Sequence, residues 1–328
     1  MGTLDGRPDI LALAEGREYH ESQRPPREFP VYNARLIQEA HTGTLEEFFE
    51  NHGFVLLQHE TAVTDWGDAR QFHEVYVPEL DALVRETLLP SRPIARIDHL
   101  NQSGHWNHGV GLRGFDTQWE HARPIYSAEA HQDTGRTPAD WLENCHAYRE
   151  GALTEWAAEY LAHMTDVRNG GQIQLDFWRT MEMNDHPEPL TDMPLAFLDG
   201  ATIELHDLVP TALVGHGATG DPSCELAVRE SPKHRWCYYP NMRLDEVLVL
   251  KQFQWEPALG DDQPYRCPLH CAFSDPSAPE SSQQRRSNEY RCQVWLGDSA
   301  PPECYKNKGG EEKWVFQDSG ITWGGHKL

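Results

Sequence analysis

The stretch Gln172-Ile173-Gln174-Leu175-Asp176-Phe177 decides the fold class of this 328-residue chain. Its apolar and polar side chains alternate with a period of two, which indicates a β-strand that packs one face against a core. Residues 246–254 and 285–296 alternate in the same way, and loops rich in Pro, Gly and Ser separate these segments. Strands spaced in this manner predict a β-sandwich or jelly roll.

A capping box marks an early helix. Thr44-Leu45-Glu46-Glu47 places a hydroxyl and a carboxylate three residues apart, which predicts a short helix through Asn51. Gly53 is placed to end this helix, because glycine accepts the left-handed conformation at a helix C-terminus. Residues 54–57 (Phe-Val-Leu-Leu) then predict a buried strand.

Two longer helical patterns follow. Residues 65–88 carry apolar side chains at helical spacing, which we expect to be broken at Pro78. Thr137-Pro138 is a strong helix start, and the apolar stripe after it continues to about Met164. These helices precede most of the strands, so the sequence predicts a mainly β fold with flanking helices.

No internal repeat and no linker divides the chain, so we expect a single domain. Residues 1–30 are polar and predict an extended arm, and residues 31–298 contain the helix-wrapped β core. Residues 299–328 are rich in glycine and charge and predict a tail, in which Trp314 and Trp323 are candidates to dock against the core.

The composition limits the partners. Lys and Arg number 28 against 52 acidic residues, a net charge of −24 that disfavours nucleic acid. No apolar run is long enough for a membrane span, and the first residues do not resemble a secretory signal. The seven cysteines are an odd, scattered set, which predicts reduced thiols and a cytoplasmic location. His326-Lys327-Leu328 is a weak alternative signal for peroxisomes.

A possible metal site lies at His131-Gln132-Asp133 together with the distant His270. A His and an Asp two apart on an extended segment point to the same side, and a second His from another strand can complete the ligand set. Two imidazoles and one carboxylate on one face hold non-haem Fe(II) and leave positions open for O₂ and a chelating co-substrate. The alternative is a chance pattern, because the chain has 18 His residues. A similar motif at residues 186–188 lies between prolines and predicts a surface loop.

The run of residues 285–291 carries an unusual polar face. Arg285, Ser287, Glu289 and Arg291 occupy alternate positions of the predicted strand, and the other face is mostly apolar. This polar face is either the solvated side of an outer strand or the inside of a barrel. In the second case, an arginine fork with a serine hydroxyl can grip a carboxylate.

Together these stretches resemble the fungal and bacterial hydroxylase/desaturase family that includes gibberellin desaturase and relatives of the cephem 7α-methoxylase. This family belongs to the Fe(II)/2-oxoglutarate oxygenase superfamily. The similarity spans roughly residues 40–297 and its motifs occur in family order. The matching segments are residues 45–57, His131-Gln132-Asp133-Thr134, Phe177-Trp178-Arg179, residues 193–199, residues 234–240, residues 246–251, residues 270–273 and residues 285–291.

The resemblance implies a distorted double-stranded β-helix and Fe(II)- and 2-oxoglutarate-dependent oxidation of a small molecule by O₂. The implied outcome is hydroxylation, desaturation or oxidative cyclisation, typically in secondary metabolism. It also implies that His131, Asp133 and His270 bind the iron, and that Arg285 with Ser287 binds the distal carboxylate of 2-oxoglutarate.

The chain departs from the family pattern at two places. Asn101-Gln102 stands where we expect a basic residue, which leaves the substrate open more than the iron site. Asn288 replaces an aliphatic residue in the run of residues 285–291.

Further candidates surround these residues. Lys251 ends an apolar strand face and either binds an anion, such as 2-oxoglutarate, or extends its amine to water. Arg291 is a second possible partner for 2-oxoglutarate. Trp178, Arg179 and Tyr238 are candidate walls of a substrate pocket, although the aromatic residues are also expected in a core.

Two other functions fit isolated motifs. Residues 215–220 match the glycine pattern of nicotinamide-dependent oxidoreductases, but no helix is predicted to follow, so a hairpin loop is favoured. Cys267, His270, Cys271 and Cys292 are the residues that a non-enzymatic zinc-binding module would use. Their spacing lacks the paired cysteines usual in such sites.

Overall fold

A computed structural model describes residues 28–64, 69–106, 130–143, 154–180, 189–213, 223–279 and 285–302. The strands are β1 Val31–Asn33, β2 Phe54–Gln58, β3 Ile94–Trp106, β4 Gly171–Thr180, β5 Leu195–Leu198, β6 Leu208–Leu213, β7 Ser223–Val228, β8 Trp236–Tyr238, β9 Glu246–Trp255, β10 His270–Ala272 and β11 Arg286–Leu296. The α-helices are α1 Ala34–Glu39, α2 Leu45–His52, α3 Ala69–Gln71, α4 Val77–Leu83, α5 Pro138–Glu143 and α6 Thr154–Thr165. The predicted mainly β fold is confirmed in its coarser form, as a mixed β-sheet fold with few helices.

The larger sheet has the order β2-β9-β4-β11-β3, and each neighbouring pair is antiparallel. Across β4 and β11, Leu175 lies opposite Cys292, and both are buried in the main core cluster beneath helices α2 and α4. We call this side the outer face. The alternate positions form the inner face, where Asp176 lies opposite Arg291 and Ser287 lies opposite Thr180.

The smaller sheet has the order β1-β8-β5-β10, with β1 parallel to β8. Residues 131–132 form a short extended segment that pairs with β10 on one side and with β7 of the β6–β7 hairpin on the other. His131 N–H donates to His270 O at 3.1 Å, and His270 N–H donates back to His131 O at 2.9 Å. Gln132 and Leu226 exchange two further backbone hydrogen bonds of 2.9 Å. His131 and His270 are therefore brought side by side by backbone pairing.

The capping box works as predicted. The Thr44 hydroxyl accepts from Glu47 N–H at 3.1 Å, and the Glu47 carboxylate accepts from Thr44 N–H at 2.7 Å. Gly53 ends the helix with a φ of 77°, and a Cβ there would lie 2.0 Å from Arg266 O. Glycine is thus required by both backbone conformation and space.

The predicted break at Pro78 is wrong. The helical backbone continues from Ala69 to Leu88, with π-helical turns at Phe72–Tyr76 and Val84–Leu88 on either side of α4. Pro78 lies in the first turn of α4, and this helix begins directly after a π-helical turn. In a first turn a missing N–H is tolerated, so the proline changes the helix type without ending it.

Helices α5 and α6 close one end of the larger sheet. Trp141, Trp156 and Tyr160 from these helices pack with Trp255 and Trp295, which confirms the predicted core stripe. Trp141 Nε1 donates to Gln174 Oε1 at 2.7 Å, and the Tyr160 hydroxyl donates to Gln172 Oε1 at 2.8 Å. The side-chain oxygens of Gln172 and Gln174, on the inner face, are thereby hydrogen-bonded at this end.

Several predictions fall outside the described residues. These are most of the N-terminal arm, the loop motif at residues 186–188, residues 215–220 and the tail from residue 303 with Trp314 and Trp323. Among the residues that are described, no helix has the length and apolar composition needed to cross a membrane.

Candidate metal centre

His131, Asp133 and His270 converge between the two sheets. One potential ligand atom from each side chain lies within 4.8 Å of the other two. His131 Nε2 is 3.3 Å from Asp133 Oδ1, and His270 Nε2 is 3.8 Å from Asp133 Oδ2. The ring centroids of the two histidines are 4.8 Å apart. The sequence prediction that these three residues can meet in space is therefore consistent with the fold.

Burial and mutual contact set the charges of this triad. Burial by itself would raise the pKa of Asp133, but the Arg291 guanidinium and the bond to His131 hold it well below 3.8. Burial would lower the pKa of His131, yet its bond to Asp133 leaves that pKa raised. Burial lowers the pKa of His270 to about 4, so this imidazole is neutral at pH 7 and available as a ligand.

An arginine contacts the carboxylate of the triad. Arg291 Nη2 donates to Asp133 Oδ2 at 2.7 Å and also contacts Glu289 Oε1. The pKa of the Arg291 guanidinium is raised, because Asp133, Glu289 and Asp176 outweigh the effect of burial. Arg291 therefore stays charged beside the triad.

A second carboxylate lies deeper on the inner face. Asp176 is 1% exposed, and its Oδ2 accepts from Gln252 Nε2 at 3.1 Å. Burial and the neighbouring Glu289 raise its pKa well above 3.8. Within the described part of the chain, Asp176 Oδ1 and Gln252 Oε1 have no hydrogen-bond donor. These two acceptors can receive donors from water or a bound molecule.

Arg285 and Ser287 lie further along the same face of the larger sheet. Arg285 Nε donates to Ser287 Oγ at 3.2 Å, and Arg285 Nη1 donates to Met193 O at 2.8 Å. The guanidinium carbon is 5.2 Å from the ring centroid of Trp178, which shares the inner face. Both Arg285 and Ser287 are buried. This position excludes the solvated outer strand that the sequence left open.

Trp178 and Arg179 do not line one surface. Adjacent residues of a strand point to opposite faces, so Arg179 lies on the outer face when Trp178 lies on the inner one. Its guanidinium contacts Leu244 O and His59, and lies 5.7 Å from the centre of the Tyr76 ring. Of these two candidate pocket walls, Trp178 is therefore the one that faces the same side as Arg285 and Ser287.

Lys251 and Tyr238 have partners of their own. Lys251 Nζ donates to Gln254 Oε1 at 2.7 Å and lies 5.1 Å from the centre of the Phe49 ring, while burial lowers its pKa. The Tyr238 hydroxyl donates to Asp275 Oδ2 at 3.4 Å. These contacts place Lys251 against helix α2, so the buried amine does not reach water as the alternative expectation had it.

The geometry disfavours both rival motifs. The strands on either side of residues 214–222 pair antiparallel as β6 and β7, whereas a dinucleotide fingerprint needs a helix after its glycines. Burial raises the pKa of the Cys267 and Cys271 thiols to about 12, and Cys292 is packed in the outer-face core. Within the described ranges, the group close enough to hold a metal is His131, Asp133 and His270.

The sequence missed the roles of Asp176 and Gln252. The available signal was the alternation of Gln172, Gln174 and Asp176 in a strand that is apolar at the intervening positions. Because every residue of β4 is buried, these polar side chains form an interior polar surface. A strand with one apolar and one polar face is predicted to have its polar face in solvent, unless both faces are known to be covered.

Two imidazoles and one carboxylate on an antiparallel β framework define a candidate mononuclear metal centre. The family described as YDMC, oxidoreductase/YMDC permease-like domain, matches residues 7–295. The Fe(II)/2-oxoglutarate-dependent dioxygenase nvfI of Aspergillus novofumigatus is 34% identical over 111 residues, which are 34% of this chain and 37% of that protein. The hydroxylase/desaturase efuI of Hormonema carpetanum is 25% identical over 279 residues, covering 81% and 85% of the two chains.

A solved structure shares the fold. The iron and alpha-ketoglutarate-dependent endoperoxidase NvfI aligns with a TM-score of 0.59 at 20% identity, over 83% of this chain and 87% of that one. The chain belongs to the matched oxidoreductase family, and the resemblance to the Fe(II)/2-oxoglutarate-dependent hydroxylase/desaturases is confirmed.

Proposed function

We propose that this protein oxidises a C–H bond of a small molecule, with Fe(II) bound by His131, Asp133 and His270 and with 2-oxoglutarate and O₂ as co-substrates. The observation that carries the proposal is the convergence of these three side chains within 4.8 Å. The names of the relatives support it, because they describe iron- and 2-oxoglutarate-dependent oxygenases and a hydroxylase/desaturase. Secondary metabolism is the setting that we propose for the substrate.

The strand order supports a distorted double-stranded β-helix. In chain order, β3, residues 131–132, β4 and β5 alternate between the larger and the smaller sheet. After β8 in the smaller sheet, β9, β10 and β11 alternate again. A chain that passes repeatedly between two facing sheets winds as a jelly roll, and we propose that residues 31–298 form this single domain.

The donor set fits a divalent iron. Nitrogen and carboxylate ligands suit non-haem Fe(II), and two imidazoles with one carboxylate leave coordination positions open. The buried His270 Nδ1 has no hydrogen-bond partner among the described residues, and its Nε2 is the nitrogen that faces Asp133. When bound, the iron would couple the oxidative decarboxylation of 2-oxoglutarate to succinate with the reduction of O₂ and the oxidation of the substrate.

Arg285 and Ser287 fit the distal carboxylate of 2-oxoglutarate. A buried guanidinium beside a hydroxyl can bind a carboxylate through several hydrogen bonds, and the Trp178 ring holds the guanidinium in place. Arg291 is the weaker candidate for this carboxylate, because its guanidinium already contacts Asp133 and Glu289. Lys251 is weaker still, because it is buried against Phe49.

The same inner face supplies a place for the substrate. Trp178 offers a ring near Arg285, while Asp176 and Gln252 offer acceptor atoms beside Arg291. The proposal covers hydroxylation, desaturation and cyclisation alike, since these differ in where the substrate is held relative to the metal. The net charge of −24 supports a small-molecule partner over nucleic acid, and free cysteines support a cytoplasmic location.

Metal binding and co-substrate turnover test this function. We expect the metal-free protein to bind about one Fe(II) per chain under anaerobic conditions, and to convert 2-oxoglutarate to succinate when O₂ is added. Asp133→Ala and His270→Ala are expected to abolish succinate formation while the proteins remain folded.

Full turnover in both variants would refute the proposal. Tight zinc binding that is lost on replacing Cys267 and Cys271, without oxygenase activity, would favour the zinc module. NADH binding in a titration, with turnover independent of 2-oxoglutarate, would favour the nicotinamide enzyme.

A further inference from the structure

The contact between Arg291 and Asp133 has a consequence for the metal. We propose that Arg291 is a positioning residue that holds Oδ2 of Asp133, so that the carboxylate offers Oδ1 alone to a metal ion. The inference rests on the proposed function, because it assumes the Fe(II) site of His131, Asp133 and His270. It assigns to Arg291 a role other than binding 2-oxoglutarate.

The backbone around Asp133 is fixed, but its side chain is directed by its contacts. The segment is paired with β10 at His131 and with β7 at Gln132, and Asp133 follows directly. The Asp133 N–H donates to Gln132 Oε1 at 2.8 Å, and the Thr134 hydroxyl donates to Gln252 O at 2.8 Å. These bonds anchor the main chain on both sides of Asp133 and leave the orientation of the carboxylate to its neighbours.

The two carboxylate oxygens of Asp133 have different neighbours. Oδ1 lies 3.3 Å from His131 Nε2. Oδ2 accepts from Arg291 Nη2 at 2.7 Å and lies 3.8 Å from His270 Nε2. Among these neighbours, Arg291 is the one that we do not propose as a metal ligand, and its charge-assisted bond is the shortest.

Arg291 stands on a rigid support. It lies inside β11, paired with Asn101 of β3 and with Asp176 of β4, and the register with β3 shifts directly after it. A register shift in a ladder re-aims a side chain. Glu289, two residues earlier on the same face, contacts the same Nη2 atom. The guanidinium is therefore held between Glu289 and Asp133.

Single-oxygen ligation by Asp133 matters for the chemistry. If both carboxylate oxygens bound the metal, they would occupy a position that O₂ or a chelating co-substrate needs. Residues that orient metal ligands typically change metal affinity by about 10–100-fold when they are replaced. A guanidinium also repels a dication. If positioning dominates, removing Arg291 weakens metal binding, whereas if repulsion dominates, removing it tightens metal binding.

Anaerobic titrations of the full-length, metal-free protein with Fe(II) and with Co(II) separate the two effects. We expect Arg291→Gln to weaken binding of both metals by about 10–100-fold, and Arg291→Lys to give an intermediate loss. The visible absorption of bound Co(II) reports its coordination and is expected to change in Arg291→Gln. Glu289→Gln leaves Arg291 in place and should weaken binding less.

Arg243→Gln is the matched control. Arg243 also pairs with a carboxylate two residues away in sequence, Asp245, but its side chain is 57% exposed. We expect its metal affinity and Co(II) spectrum to equal those of the wild type. Thermal unfolding verifies that each variant is folded, and Arg291→Lys decides the outcome if Arg291→Gln does not fold.

Metal binding that is unchanged or tighter in the folded Arg291 variants, or an unchanged Co(II) spectrum, would overturn this inference alone. A wild-type protein that binds neither Fe(II) nor Co(II) would overturn the proposed function and the inference with it. The two failures are therefore distinguished by the wild-type titration.

Discussion

The two faces of strands β4 and β11 differ in how their buried atoms are used. On the outer face, Leu175 and Cys292 pack with Phe177 and Tyr290 in the main core cluster. On the inner face, Asp176 Oδ1, Arg291 Nε and Gln293 Nε2 are buried without a hydrogen-bond partner among the described residues. Buried polar atoms without partners destabilise a fold. The outer face therefore stabilises the protein, and the inner face carries polar groups that stability alone does not explain.

The largest expected effect on this comparison comes from creating a cavity on the outer face. Leu175 is fully buried in the main core cluster. Leu175→Ala is expected to lower the free energy of unfolding by about 2–5 kcal/mol, because it removes buried methyl groups and leaves a void. Chemical denaturation measures the loss, and anaerobic titration is expected to show unchanged Fe(II) affinity in the folded protein.

Leu205→Ala provides the control, because Leu205 is exposed. It should change the free energy of unfolding little. If Leu175→Ala weakened Fe(II) binding as much as it weakened folding, the two faces would be coupled and the comparison would fail.

On the inner face, Arg285→Ala is the matching change. We expect it to raise the apparent 2-oxoglutarate requirement by about a hundredfold, because a buried carboxylate loses its charged partner. Fe(II) binding should survive, since Ser287, Met193 and Trp178, which Arg285 contacts, are not residues of the triad. Succinate formation at varied 2-oxoglutarate and a separate Fe(II) titration measure the two effects.

Arg291→Ala tests whether the correct arginine has been chosen. Arg291 is six residues further along the chain, roughly 20 Å at the rise of a strand. With Fe(II) at saturating concentration, which compensates for the weaker metal binding expected of this variant, it should affect 2-oxoglutarate less than Arg285. A larger effect from Arg291 would mean that the co-substrate binds at the other end of this face. If neither arginine mattered, Lys251 would become the candidate.

The sequence predicted the parts of this arrangement that depend on local pattern. Alternation placed β4 and β11, the capping box placed helix α2, and the spacing of His131 and Asp133 predicted a common direction for their side chains. The sequence did not decide whether the polar face of β11 points to solvent or to the interior. That depends on which distant segments pack against each side of the sheet.

Non-local contacts account for what the sequence did not predict. The bond from Arg291 to Asp133 joins residues 158 positions apart, and no local pattern encodes it. Pro78 was misjudged because the π-helical turn before it is not visible in apolar spacing. The sequence motif does not separate Arg179 from Trp178, whereas the strand places their side chains on opposite faces.

Asn288 is a polar residue on the largely apolar outer face, and replacing it would sharpen the comparison. It is fully buried, lies opposite Arg179, and neither side-chain polar atom has a partner among the described residues. Asn288→Leu is expected to raise the free energy of unfolding by about 1–3 kcal/mol, because it removes an unsatisfied polar group at similar volume. Chemical denaturation checks this change, with exposed Asn51→Leu as the control.

A loss of stability in Asn288→Leu would mean that Asn288 has a polar partner. The family pattern has an aliphatic residue at this position. A higher free energy of unfolding in Asn288→Leu would therefore also show that the asparagine in this chain destabilises the fold. Metal affinity should be unchanged in either case, because the side chain points away from the triad.

The smallest expected effect is a pH dependence at Asp81, whose carboxylate lies on helix α4 above the outer face. Its Oδ2 is 3.8 Å from His99 Nε2, and Arg85 is the nearby cation that favours the charged carboxylate. Burial nevertheless raises the pKa of Asp81 to about 6, from 3.8. Tyr290 and Cys292, which face it from β11, have raised pKa values themselves and remain neutral at these pH values.

The folded protein therefore binds more protons than the unfolded chain between about pH 4 and pH 6. Asp81 therefore does not lower the free energy of unfolding below about pH 4, where it is protonated in both states. As the pH rises through 6 the protein loses stability, because the charged carboxylate is disfavoured in the folded state. Asp81→Asn should match the wild-type melting temperature near pH 4 and exceed it above pH 6. Side-chain exposure of 35% makes the difference modest. Thermal unfolding at both pH values measures the difference in melting temperature, with the exposed Glu86→Gln as control. If Asp81→Asn were less stable than the wild type above pH 6, the charged Asp81 would instead stabilise the packing of α4 on the outer face.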